Sequence, residues 1–115
     1  MEETSKLIFV SCPYSDVDST VTEGRMRVLT KYLAQQSAER RVAFSPLLMH
    51  YCLNSDIELP SDYEFWKNIC LTLLYKSDVV HVLTLPGWEV SSGVSDEIEA
   101  ATKSCLPIHY INPLN

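Results

Sequence analysis

Glycine is scarce: 3 residues in 115, none of them in the segment "SCPYS" that follows the first apolar run. A P-loop and a dinucleotide fingerprint are therefore excluded there, because both need glycine where the backbone approaches phosphate. The 4 cysteines, at positions 12, 52, 70 and 105, form no Cys-x-x-Cys pair and match no histidine at zinc-ligand spacing. The expectation is free thiols in a reducing compartment, with no metal and no cofactor. No apolar run approaches the length of a membrane span, and "MEETSKLIFV" has no basic region ahead of its apolar stretch. A cytoplasmic chain with no membrane partner is expected. Positive charge is also short, with 9 Lys and Arg against 15 Asp and Glu and a net charge of −6. That balance disfavours a nucleic acid polymer as partner, although a local pocket for a small phosphorylated molecule stays open. Repeats, low-complexity tracts and Gly/Ser linkers are missing too.

What is present is the material of one globular domain. The length suits a single unit, residues 1–115, and 46 % hydrophobic with 21 % charged residues excludes a disordered chain. The 11 aromatic residues, a large number for a small core, suggest that some are covered by another subunit. "KLIFVSC" reads as a first strand. A helix is expected from Ser19 or Thr20 to about Gln36, with Val21, Val28, Leu29, Tyr32 and Leu33 at helical spacing and Thr20–Glu23 as a capping box. "RVAFS" reads as a second strand, and residues 46–60 as a long connection containing His50 and Tyr51. "SDYEFWKNICLTLLYKS" reads as a helix capped by Ser61 or Asp62, with Phe65 or Trp66, Ile69, Leu73 and Leu74 facing inward. "DVVHVLTL" has the continuous apolarity of a strand buried on both faces. Ser92 to Lys103 forms the next helix, and "LPIHYIN" the last strand.

Strands alternating with helices imply an α/β fold: one doubly wound, flavodoxin- or Rossmann-like domain with a parallel sheet of four to five strands in the order 2-1-3-4. Ligands in such sheets bind at the carboxyl edge, where the winding reverses. That crevice lies between "SCPYSD" and "LPGWEVSSG".

One charge violates the helical pattern beside it. In "SSGVSDEIEAA" the apolar face runs through Val94, Ile98 and Ala101, and Glu97 lies on it, three residues after Val94 and four before Ala101. Asp96 and Glu99 sit about 200° of rotation from Val94 and Glu97. An inward carboxylate beside a crevice serves as a nucleophile or a base, or else partners a buried cation. Arg25 falls on the apolar side of the first helix. It is positioned either to bind a phosphate or carboxylate with its planar fork, or to snorkel or pair with Glu97. Ser11, Tyr14 and Ser15 are candidates to line the pocket at the end of strand one. Trp66 and Trp88 are candidates to stack on a base, or to be core. His81 and His109 lie within strands and read as core or edge residues.

"IFVSCPYSD", "LPSDYEFW", "SDVVHVLTLPGWEVSSGVSDEIEAA" and "PIHYI" together resemble the nucleoside 2-deoxyribosyltransferase-like superfamily. More narrowly, they are similar to the small proteins grouped as DUF1937. The resemblance spans essentially the whole chain and is most specific from Leu59 to Ala101. It implies a glutamate nucleophile that attacks the anomeric carbon of a nucleoside or nucleotide and expels the base, the sugar then passing to another base or to water. On the motif Ser91-Ser92-Gly93-Val94-Ser95-Asp96-Glu97 that role falls on Glu97, with Asp78 as a second catalytic candidate. Ser91 stands where the transferases carry aspartate, and a serine there resembles the branch that hydrolyses deoxynucleoside monophosphates. Ser91, Ser92 and Gly93 are then substrate contacts, joined by Arg25, Ser11, Tyr14 and Trp66. The pattern is broken at Cys70, where relatives carry an aspartate that contacts the sugar and assists departure of the base. A thiol does neither job of that carboxylate. The alternative implied by Cys70 is a pocket that binds a nucleotide-derived, ADP-ribose-like molecule without cleaving it. The resemblance also implies a homodimer or larger homo-oligomer.

Overall fold

Leu7–Ser11, five residues without a charge, form β1 at the centre of a four-stranded parallel sheet. The computed structural model describes residues 5–52, 59 and 63–114. After β1 come α1 (Ser19–Ala38), β2 (Val42–Phe44), α2 (Pro46–Cys52), α3 (Tyr63–Tyr75), β3 (Val79–Leu83), α4 (Ser92–Lys103) and β4 (Ile108–Ile111). The strand order is β2-β1-β3-β4, as the alternation of elements predicts. Phe9 of β1 is in register with Phe44 of β2 and with Val80 of β3, and Val80 in turn with Ile108 of β4.

The two-residue period of a strand divides the core in two. Ile8 and Val10 point to one face and pack with Met26, Leu29 and Tyr32 of α1. Phe9 points to the other and packs with Leu74 of α3 and with Val94 and Ala101 of α4. Leu29 and Leu74 are fully buried, each stabilising the fold by about 1.5–3 kcal/mol through the apolar surface it removes from water. No helix among the described residues is long and apolar enough to cross a membrane.

Several local expectations are corrected. The cap of α1 is Asp18, whose Oδ1 accepts from the Thr20 amide at 2.9 Å and from the Thr20 hydroxyl at 2.7 Å, so no Thr20–Glu23 capping box forms. Val21 is consequently exposed, and the inward face of α1 is Met26, Leu29, Tyr32 and Gln36. The inward face of α3 is Trp66, Cys70 and Leu74, while Phe65 is exposed. The expected caps Ser61 and Asp62 lie outside the described residues. Part of the expected connection is a helix, α2, opened by Pro46 in a first turn where proline costs no hydrogen bond.

Candidate active site

β1 and β3 are neighbours whose onward connections cover opposite faces of the sheet, so the loops leaving their carboxyl ends part and leave a crevice. A hollow of about 470 Å³ occupies it, within the usual range for a small-molecule site. The β1–α1 loop forms one side and the residues opening α4 another; α2 and α3 contribute His50, Trp66 and Cys70.

α4 starts at the rim of this hollow because Ser91 caps it, its Oγ accepting from the Val94 amide at 3.3 Å. Two turns of helix then carry Val94, Glu97, Ala100 and Ala101 inward together. Glu97 is only 8 % exposed and lines the hollow. The Ser11 hydroxyl, itself buried, donates to Glu97 Oε1 at 2.6 Å, and the Cys70 thiol of α3 hydrogen-bonds the same carboxyl group. Burial pushes the Glu97 carboxyl up to about 7 against the pull of the Ser11 bond, with the neighbouring Asp96 raising it further and the Cys70 bond lowering it. Asp96 pairs with Lys67 of α3 at 3.7 Å.

Ser11 does not line the hollow. It is buried beside Glu97 and holds one oxygen of the carboxylate. A hydrogen bond to a charged group is worth about 1.5–3 kcal/mol. Ser11→Ala is therefore expected to raise the Glu97 pKa by about one unit or more. Titrating the Glu97 carboxyl by NMR in both proteins checks this, with the midpoint moving to higher pH.

Arg25 does not pair with Glu97 but holds backbone carbonyls. Its Nη1 donates to the carbonyls of Tyr14 and Ser15 at 3.3 and 3.0 Å, and its Nη2 to the carbonyl of Pro86 at 2.9 Å. The guanidinium thus ties the loop after β1 to the loop after β3 while lining the hollow. The second loop meets it closely at Gly87, which has φ +93° and where a Cβ would lie 2.6 Å from Arg25 Nη2. Gly87→Ala is expected to cost about 1–3 kcal/mol from the left-handed backbone and the displaced guanidinium. Urea denaturation measures it.

The apolar wall is aromatic. His50 stacks on Trp66 with ring centroids 4.0 Å apart and planes 18° from parallel, and Tyr14 leans on His50 at 5.0 Å. Burial lowers the His50 pKa and raises that of Tyr14, so His50 is neutral at neutral pH. Burial also pushes the thiols of Cys12 and Cys70 up to about 12, leaving both protonated.

Of the residues singled out from sequence, Glu97, Tyr14, Arg25, Ser91, Ser92, Gly93, Trp66 and Cys70 all line the hollow. Asp78 does not. It sits at the amino edge of the sheet, where its Oδ2 accepts from the Leu7 amide at 2.7 Å and ties β3 to β1. The structure does not bring it to the hollow, which lies at the other edge of the sheet. Trp88 packs on Tyr110 instead, centroids 5.6 Å apart. His81 accepts or donates at 2.8 Å with the Tyr32 hydroxyl, away from the hollow. Sequence reading does not single out Cys12 or Asp16, which also line the hollow; their place just after the central strand is the signal that could have found them. Among the described residues no group of three His, Cys, Asp or Glu side chains is placed to hold a metal ion.

No curated protein matches the chain. A family model described as "Domain of unknown function (DUF1937)" matches residues 6–112. That span takes in the four strands, the four helices and the lining of the hollow among the described residues, and the chain belongs to the DUF1937 family.

Proposed function

We propose that this protein cleaves the N-glycosidic bond of a nucleoside or nucleotide, or transfers the sugar, with Glu97 as nucleophile. The observation that carries this reading is a buried carboxylate lining an aromatic-walled hollow, with one oxygen fixed by Ser11. The ionised carboxylate attacks the anomeric carbon as the bond to the base breaks, and water or a second base then displaces Glu97 from the sugar. Ser11 orients the carboxylate for attack. The row Tyr14, His50 and Trp66 offers π surface to a flat ring. The motif resemblance to the nucleoside 2-deoxyribosyltransferase-like superfamily points to the same residue.

The test is incubation with nucleosides, 5′-monophosphates and nicotinamide dinucleotides, followed by mass spectrometry of the solution and of small molecules released from denatured protein. Free base accumulating with time, and lost in Glu97→Gln, is the expected result. Base release at the wild-type rate in that variant overturns the mechanism.

A second reading is favoured by one residue. Cys70 lines the hollow beside Glu97 as a protonated thiol, and a thiol there neither contacts a sugar as a carboxylate does nor assists departure of a base, which suits a pocket that holds an ADP-ribose-like nucleotide without cleaving it. Under that reading, ligand is recovered intact and only from the denatured fraction. Association into a homo-oligomer and a cytoplasmic setting accompany either reading as proposals.

A further inference from the structure

We infer that the hollow takes N-glycosides whose ring nitrogen already carries positive charge, such as a ribosylpyridinium or an N-alkylated purine nucleoside, in preference to neutral nucleosides. The inference rests on the N-glycosidic reading above and names the substrate class of that site.

The first ground is an inventory of proton donors. A neutral base leaves as an anion unless it is protonated as the bond breaks, a step for which enzymes position a side chain titrating near the working pH. Around Glu97 no lining residue among the described ones meets that need. Cys12 and Cys70 are thiols held far above neutrality by burial, and Tyr14 is raised as well. His50 is a neutral imidazole stacked on Trp66. Asp16 lies on the exposed loop with its Oδ1 accepting from the Asp18 amide. A cationic leaving group removes the requirement: Glu97 Oε forms the bond to C1′, the C1′–N pair goes to the ring nitrogen, and the ring departs neutral. Water then forms the new C1′–O bond, releases the carboxylate and gives its proton to solvent.

The second ground is charge and shape. The aromatic row is a surface that attracts cations through its ring faces. The one cationic side chain lining the hollow among the described residues, Arg25, spends three hydrogen bonds on carbonyl oxygens. Two carboxyl groups, Asp16 and Glu97, line the same space.

The third ground is the nucleophile itself. Glu97 is faced by Cys12 beyond the end of β1, Cys70 from α3 and Asp96 from its own helix, the last paired with Lys67. None of these is a cation, and Arg25, which donates to the carbonyls of Tyr14, Ser15 and Pro86, makes no ion pair with Glu97. A cation arriving beside the buried carboxyl group favours its ionised form. The substrate thereby creates the nucleophile that attacks it.

The experiment compares wild-type protein on three probes: nicotinamide riboside, 4-nitrophenyl β-D-riboside (neutral, with a leaving group that needs no proton) and adenosine. Each rate is divided by the spontaneous rate. The expected result is adenosine slower than nicotinamide riboside by about 100-fold or more on that scale, the contribution usual for a general acid. Nicotinamide riboside should also exceed the nitrophenyl compound, and its kcat profile should have a lower apparent pKa than its kcat/KM profile, because kcat reports the complex and kcat/KM the free protein. Adenosine cleaved comparably, with Glu97→Gln abolishing it, overturns the substrate class and keeps the glycosidase. Equal corrected rates for the two activated probes, with coincident pKa values, overturn the preference for cations. Base released from no probe overturns both readings together.

Discussion

Glu97→Gln is expected to make the protein more stable at pH 8 and inactive at every pH. Burial raises this carboxyl group from 4.5 to about 7 in the folded chain, so folding takes up a proton between those values. Its contribution is fully favourable below pH 4.5, falls as pH rises toward 7, and is an unrelieved cost of about 3 kcal/mol above that. Glutamine has the shape of the protonated acid and keeps an oxygen to accept from Ser11, but it never ionises. Its melting temperature at pH 8 should exceed that of wild type by on the order of 10 °C, and the difference should vanish near pH 4.5. Calorimetry at the two pH values measures this; a variant destabilised at both would mean that the carboxylate is a structural anchor. Base release should fall by about 10³-fold or more in the same variant, since an amide does not attack the anomeric carbon. Gain of stability with loss of turnover is the mark of a group kept charged at a cost to the fold.

Cys70→Asp should do the opposite. Position 70 is 8 % exposed and touches Glu97, so the substitution places two carboxyl groups in one buried site. They cannot both ionise there, and one proton is shared between them. At pH 5 the pair is neutral and the loss of stability should be small. At pH 8 it carries buried charge, and denaturant unfolding should show a loss on the order of 3–5 kcal/mol. The shared proton also supplies the acid that no described residue of the native hollow provides. Turnover of adenosine, measured between pH 5 and 6.5 where the variant is folded, should rise relative to wild type, while nicotinamide riboside gains nothing. Equal stability loss at both pH values would indicate a packing defect instead of a charge pair.

How far the residues declare these properties depends on what each one bonds to. Glu97 was legible because a charge out of phase with its helix is visible in sequence, and Ser92–Lys103 coincides with α4. Strand order 2-1-3-4 was legible from the alternation of β-branched runs with helical periods. Arg25 was visible as a misplaced cation, but its partners are backbone carbonyls, which carry no identity in a sequence. Asp18 was hidden among Asp16, Ser19 and Thr20, all good caps within one turn. In α3 the apolar residues are so dense that Phe65 and Trp66 fit equally well; packing with the sheet and α4 buries Cys70 and Leu74, and Trp66 turns in to stack on His50 of α2. Asp78 was singled out through the resemblance, and a sequence does not show that its partner is the Leu7 amide at the amino edge, 71 positions away.

The bond between Ser11 and Glu97 joins residues 86 positions apart, and the Arg25–Pro86 bond spans 61. During synthesis on the ribosome, β1 emerges first and can pair early only with β2. Its other edge, from Ile8 to Ser11, waits for β3. A nascent chain therefore holds out an apolar central strand with one open edge until β3 has left the exit tunnel. The reactive carboxylate arrives later still, with α4, and meets its serine only when the sheet has closed. A shorter intermediate of translation therefore lacks the Ser11–Glu97 bond, and the same sequence separation leaves the unfinished chain most dependent on chaperones just before the hollow assembles.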